Sequence, residues 1–446
     1  MGAGCRRDGV KPELSTLTRN IRHSYNESWG CSPCLIRIGS LLANRSFSVT
    51  DLLTTESAIE NPKSALAEFL AASEPEAGSD ALRLISYCGV LTPQHLDAEE
   101  QESAALFQHA AVHDLGWLRR FAVRGEDRER WLSGMVTNSI EALEPGSGAY
   151  NLVLNAQGRI QGDLYVWRNG EQLELEIAAN QSDALLRHFD GFIIMDDVEL
   201  TPIEGVSALG LTGPKAAQVL ASLSLPAPAE MLTSTNGNAN VKVSGSTWTV
   251  PTHLRRMYGV SVPHYALWAK TEDIPKLWTA LQSAGAKPAG AAAVETQRIV
   301  EGIPAYGTDI QSRDLAQETA QIRALHYSKG CYLGQEIVER IRSRGQVHRH
   351  LSALELSSAS NEIESLPAVG SELTLDGAAE GSKPAATLTS AAALEVEGRR
   401  RMFAIAMVRA EAEVGNRLLV YPGGTATLLN APPQFPAGQL PAEETA

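Results

Sequence analysis

Lys329-Gly330-Cys331-Tyr332-Leu333-Gly334-Gln335-Glu336, continued by Ile337-Val338-Glu339-Arg340-Ile341-Arg342-Ser343-Arg344-Gly345, is the stretch on which the reading of this chain turns. Two glycines loosen the backbone on either side of one cysteine. Leu333, Ile337, Val338 and Ile341 then recur at helical spacing, with Glu336 four residues ahead of Arg340. The spacing predicts a helix that starts at or just after Cys331, with Lys329 beside the thiol. A helix N-terminus and a nearby ammonium both favour a thiolate. On residue type alone the commoner alternative is a small buried cysteine in a turn.

The octapeptide resembles the K-G-C-Y/F-x-G-Q-E signature of the YgfZ-type folate-binding proteins, which support assembly or repair of iron–sulfur enzymes. These are relatives of the glycine-cleavage T-protein, an aminomethyltransferase. Every position the signature specifies is matched. The likeness continues upstream. Val136-Thr137-Asn138-Ser139-Ile140 with Leu143, Pro145 and Gly146 resembles T-N-D-V-x-x-L-x-P-G, with Ser139 where Asp is usual. Asn151 to Ile160 resembles L-L-N-x-x-G-R-I, and in plain terms is a hairpin: apolar alternation, Asn-Ala-Gln-Gly, alternation again. Gly210-Leu211-Thr212-Gly213-Pro214 resembles an L-x-G-P element. Glu295 to Ile310 resembles R-x-E-x-G-I-P-x-Y-G-x-D-I.

Two departures matter. Relatives that transfer aminomethyl groups end the hairpin segment in Asp-Asp-Leu, and here Gly162-Asp163-Leu164 keeps one acid. Their G-E-D-G-F-E-I segment is replaced by Arg255 to Trp268, and no Asp or Glu occurs between Pro251 and Thr271. Glycine-cleavage chemistry therefore lacks an expected group.

The resemblance implies an α+β fold: a GcvT-like, T-protein-like folate-binding body of two intertwined α+β lobes over residues 61–345, then a C-terminal β-barrel. Short strands with turns from Leu351 onward read independently as that barrel, over 346–432. Residues 433–446 read as a loose tail and 1–60 as a poorly ordered extension. Ala98 to Phe107, Glu126 to Met135, Ser182 to Phe192 and Ile274 to Ala284 read as helices. His113 to Gly125 reads as one short strand, and Ser222 to Gly245 as an exposed Pro/Ala/Asn/Gly-rich connection.

The implied cofactor is tetrahydrofolate or a derivative. Cys331 and Lys329 are the candidate reactive pair; Asp163, Asn138, Arg298, Glu301, Gln335, Glu336 and Arg340 are the candidate cofactor-binding residues. Asp163 is chosen because a carboxylate accepts two adjacent pterin N–H donors as a charge-assisted pair. The bland alternative is a water-facing strand aspartate. Arg298 suits an acidic ligand tail, while Glu301 and Asp309 serve equally well as local pairs. Arg340, Arg342, Arg344, His348, Arg349 and His350 form the one dense basic cluster, either a solvated face or a landing place for a polyglutamate tail, phosphate or RNA.

With 446 residues, 38 Lys and Arg against 52 Asp and Glu, and a formal charge of −14, the chain is ordinary globular protein with two or three domains. That charge argues against direct nucleic-acid binding. No apolar run is long enough to span a bilayer. Five scattered cysteines fit a reducing compartment, the cytoplasm or alternatively the mitochondrial matrix. Cys31-Ser32-Pro33-Cys34 lacks the second pair a metal site needs, and no metal is expected. The expected function is a reduced-folate-binding factor, not a classical enzyme, whose partners are iron–sulfur enzymes, including those that modify tRNA, or their assembly factors. Folate-dependent aminomethyl transfer is the alternative.

Overall fold

The computed structural model describes residues 61–73, 82–243, 246–345, 347–358, 366–379, 381–396, 399–413 and 417–435. The expected N-terminal extension and its Cys31 and Cys34 lie outside them.

A six-stranded sheet runs Ser234–Val243, Ser246–Arg256, His264–Lys270, Val206–Thr212, Ala111–Asp114, Lys287–Ala289, antiparallel except for its last pair. A second, five-stranded antiparallel sheet runs Gly148–Leu154, Ile160–Asn169, Gln172–Ala178, Leu118–Arg124, Glu199–Pro202. The chain enters the first sheet at Ala111, leaves for the second at Leu118 and returns at Val206, so the two lobes interlock as expected. The single strand read from His113 to Gly125 is in fact two strands in different sheets. The break falls at Leu115-Gly116-Trp117, where Gly116 N–H donates to Asp114 Oδ1 at 2.8 Å. A Cβ on Gly116 would meet Ser64 Cβ at 2.7 Å, so the corner needs a glycine.

Each sheet buries one face under helices. Ile274–Ser283, Ala216–Ser222 and Ala65–Ser73 cover the first around Leu209, Leu211, Leu267 and Trp278. Arg128–Met135 and Ala179–Asp190 cover the second. The latter helix buries Gln181, Ser182, Leu185 and Phe189, the three-and-four spacing of one face. A closed six-stranded barrel follows, Arg349–Ser358, Arg399–Arg409, Ala386–Val396, Glu372–Leu375, Leu419–Tyr421, Gly424–Leu428, confirming the C-terminal expectation. It meets the body through Phe403 and Ile405 against Phe107, Leu152, Val300 and Ile310. Asp309 fastens that seam. Its Oδ1 accepts from Thr389 and Ser390 hydroxyls at 2.6 and 2.7 Å, where the Ala386–Val396 strand slips register, and its Oδ2 accepts from Arg298 at 2.6 Å.

The two sheets are also joined by charge. Arg255, on the first, donates through Nη1 to Glu176 at 2.6 Å and through Nη2 to Glu174, both on the second. Arg120 Nη2 reaches Glu174 at 2.6 Å, and Arg255 lies over Trp167 with its guanidinium carbon 4.7 Å from the ring centre. All four charged groups are buried.

Two further readings of the sequence are corrected. The supposed connection from 222 to 245 contains the ten-residue strand Ser234–Val243. The supposed loose tail is packed at its start: Ser261 Oγ donates to Pro433 O at 3.0 Å, and the Phe435 ring lies tilted against that of Phe107 with centres 4.8 Å apart.

Candidate functional site

A cavity opens between the two sheets. Its floor is the second sheet, which contributes Asp163, Tyr165 and Glu176; Met257, Tyr258 and His264 come from the first lobe. Tyr87, Trp117, Tyr150 and Tyr306 add aromatic walls, and Gln181, Arg298 and Arg323 complete the polar lining.

Asp163 stands in mid-strand opposite Leu152, not at the end of the hairpin. Its Oδ2 accepts from Tyr150 Oη at 2.7 Å and its Oδ1 from Gln181 Nε2 at 2.7 Å. Gly162 makes room for this: a Cβ there would lie 2.6 Å from Gln181 Oε1. Burial pushes the Asp163 carboxyl above its ordinary range. Arg323 lies between two rings, its guanidinium carbon 4.3 Å from the Tyr150 centre and 3.6 Å from that of Tyr258. Its Nη1 is buried without a hydrogen-bond partner. His264 Nδ1 pairs with Thr212 Oγ1 at 2.5 Å, its ring stacks on His113, and burial draws its pKa down to about 4. It is therefore a neutral imidazole at ordinary pH.

Of the sequence candidates, Asp163 and Arg298 line the cavity. Arg298 is already engaged by Glu295, Asp309, the Ile303 carbonyl and Ser390. That set suits a wall more than a free anion receptor. Asn138 sits behind the cavity, donating from Nδ2 to Tyr150 O at 3.1 Å and Arg323 O at 2.8 Å, so it positions two lining residues. Glu301 is also outside, its Oε2 accepting from Val260 N–H at 2.8 Å and so holding the Tyr258 loop. Gln335, Glu336 and Arg340 do not line the cavity, and the last two are exposed on the helix Gln335–Arg344. Their placement follows from Gly334, left-handed at φ 81°, which caps that helix against the 155–158 turn: a Cβ would meet Asn155 O at 2.6 Å.

The expected Cys331–Lys329 arrangement is also corrected. The helix begins at Gln335, so Cys331 lies three residues before the cap, beyond the turn in which the helix end acts. Lys329 Nζ donates to the carbonyls of Ser133, Val136 and Asn138 at 2.7–2.8 Å, using all three of its protons away from the thiol. Burial draws its pKa down to about 8. Cys331 itself is exposed. Cys88, by contrast, lines the cavity, and burial pushes its thiol well above the ordinary range. Cys331 is therefore expected to alkylate at least tenfold faster than Cys88 in the folded protein at pH 8, read by mass spectrometry of peptides. Faster labelling of Cys88 would show that the cavity opens readily to reagent.

Half of the basic cluster is paired locally. Arg349 pairs with Asp314 and Glu318, His350 with Glu413, and Arg342 with Glu339. Sequence reading missed Arg323, Tyr258, Gln181 and Glu176. The one signal for Glu176 was the Leu173-Glu174-Leu175-Glu176-Ile177 alternation, which looks the same whether the polar face meets water or a cavity. Among the described residues no helix is long and apolar enough to cross a membrane.

Comparison with known proteins follows the same outline. Residues 83–329 match the GCVT N-terminal domain. The aminomethyltransferase of Thermus thermophilus is 30% identical over 234 residues, covering 51% of this chain and 64% of that one. This chain thus spans less than two thirds of that relative. A putative chloroplastic transferase of Arabidopsis thaliana is 25% identical over 313 residues, 68% of this chain and 69% of that one. The crystal structure of glycine cleavage system aminomethyltransferase T from Bartonella henselae superposes with a TM-score of 0.69 at 17% identity, covering 82% of this chain and 96% of that one, which shows a shared fold.

Proposed function

The chain belongs to the family of the GCVT N-terminal domain, and from that membership we propose that it binds a reduced folate with the pterin ring in the central cavity. The observation that carries this is Asp163, a half-buried carboxylate lining the cavity, whose two oxygens each accept from one partner and each keep one lone pair. That pair of acceptors suits the adjacent N–H donors of an amino-pyrimidinone edge. Arg323 Nη1, buried without a partner, suits the ring carbonyl, and the tyrosines supply flat faces for the bicycle. When bound, tetrahydrofolate supplies a carrier for one-carbon groups; the residues here bind, orient and shield it. Asp163→Asn keeps the shape and removes the charge, and calorimetry should show tetrahydrofolate affinity falling by about 1–3 kcal/mol. Equal affinities for wild type and variant would take Asp163 out of the site.

The wider role we propose is support of iron–sulfur enzymes, including those that modify tRNA, as the 329–336 octapeptide implies by its resemblance. Among the described residues Cys331 is the one exposed thiol, and a single thiolate cannot hold a cluster, so Cys331 would share any such ligand with a partner. A reducing compartment, the cytoplasm or the mitochondrial matrix, suits such a thiol. Complementing a deletion strain with Cys331→Ser and assaying iron–sulfur enzymes tests this; full rescue removes the thiol from the function. Aminomethyl transfer is the second reading, favoured by the names of the relatives. It is weakened by the acid missing between Pro251 and Thr271. Transfer from an aminomethylated lipoyl carrier to tetrahydrofolate would establish it.

A further inference from the structure

Glu176 brings a second carboxylate to the cavity, and half of it is unused. It lines the cavity while only 1% exposed, and it pairs across the sheet with Tyr165. Its Oε2 accepts from Arg255 Nη1 at 2.6 Å and from Trp268 Nε1 at 3.1 Å. Its Oε1 is buried with no hydrogen-bond partner. Buried acceptors without donors are rare and costly, and one lining a cavity points to a ligand. Asp163 lies two residues along the neighbouring strand from Tyr165, so the two carboxylates stand on one face as diagonal neighbours, roughly 7–8 Å apart at the backbone. They can therefore contact different parts of one flat bicycle.

Resting on the folate reading above, we infer that Glu176 selects the reduction state of the bound ring: its Oε1 accepts a ring N–H that tetrahydropterin has and fully oxidised pterin lacks. The amino-pyrimidinone edge offers the same donors in both states, so Asp163 has nothing to discriminate. The second ring differs. Reduction turns N5 and N8 from lone-pair acceptors into N–H donors. An ionised carboxylate only accepts, so against the oxidised ring lone pair meets lone pair at a buried oxygen. The Arg255 guanidinium beside Oε2 balances the charge of Glu176 without occupying Oε1.

The test is anaerobic calorimetry with tetrahydrofolate and folic acid. The wild type should bind the reduced form about 10- to 100-fold more tightly, the factor for one hydrogen bond to a charged group. In Glu176→Gln the amide can turn its N–H2 toward an oxidised ring nitrogen, so the preference should shrink about tenfold or more. Because that variant also weakens the pairing with Arg255, its fold is checked by thermal melting. The wild type alone gives a second reading: 5-deaza- and 8-deaza-tetrahydrofolate each replace one ring N–H by carbon, and one of them should bind about tenfold more weakly than the parent. Equal affinity for reduced and oxidised folate, an unchanged preference in folded Glu176→Gln, or full affinity for both deaza analogues overturns the selection by Glu176. Binding of neither folate by the wild type overturns the folate reading itself.

Discussion

Arg255→Met should cost the native state about 3–5 kcal/mol, the range for removing one partner of a buried ion pair. The methionine fills much of the volume, so the loss comes from charge. Glu174 and Glu176 would remain 2% and 1% exposed, and among the described residues only Glu174 would keep an ion pair, with Arg120. The two sheets would also lose the side chain that binds both. A urea-denaturation midpoint equal to wild type would show that the sheets are held by apolar contact alone. Adding Glu174→Gln and Glu176→Gln to Arg255→Met should recover a large part of the loss, since neutral amides tolerate burial better than carboxylates. The same cluster sets an acid limit. Burial raises the Glu174 pKa, but Arg255 and Arg120 outweigh it and hold the group at about 2 instead of 4.5. Its folded pKa is the lower one, so its contribution is complete above pH 4.5 and is lost as pH falls toward 2. Arg255→Met should therefore flatten the stability profile across that interval.

Lys329→Met is expected to cost about 2–3 kcal/mol in thermal or chemical denaturation, because it orphans three carbonyls at once. Ser133 and Val136 lie at the C-terminal end of the Arg128–Met135 helix, where carbonyls have no partner within the helix. The ammonium therefore caps that helix and ties it to the 329–336 segment. Lys329 is only partly buried, so water can replace some of what is lost, and the cost stays below the sum of three orphaned groups. The alkylation rate of Cys331 in this variant should stay within about twofold of wild type, because the three donors are spent elsewhere. A tenfold fall would mean that Lys329 does activate the thiol.

Periodicity carried the reading where local chemistry and long-range packing agree. The Asn155–Gly158 turn, the Ile274–Ser283 helix and the barrel strands were legible for that reason. Asp163 was picked out through the resemblance of its hairpin to that of the aminomethyltransferases, and it does line the cavity. What stayed hidden depends on residues far apart in sequence. Nothing local at Trp117 says that the chain changes sheets. Nothing near Glu174 or Glu176 says that Arg255, about eighty residues on, will neutralise them. Cys331 looked like the start of a helix because Leu333 shares the helical spacing, yet Gly334 is left-handed and delays that start to Gln335. Asn138 and Glu301 were found by motif and turn out to brace the site from behind.

The strand Ser234–Val243, which its composition disguised as a loop, is the outermost strand of its sheet. An outermost strand presents a row of unpaired backbone groups, a template on which another chain can grow. Here Ala239 and Val241 turn inward, while Asn236, Asn238, Asn240 and Lys242 face out. Asn and Gly are poor strand formers and Lys carries charge, so the row is a weak partner for a second sheet. These polar residues, together with the bond from Asn240 N–H to Leu223 O at 3.0 Å that covers part of the free edge, make the margin of the sheet a poor template for further copies.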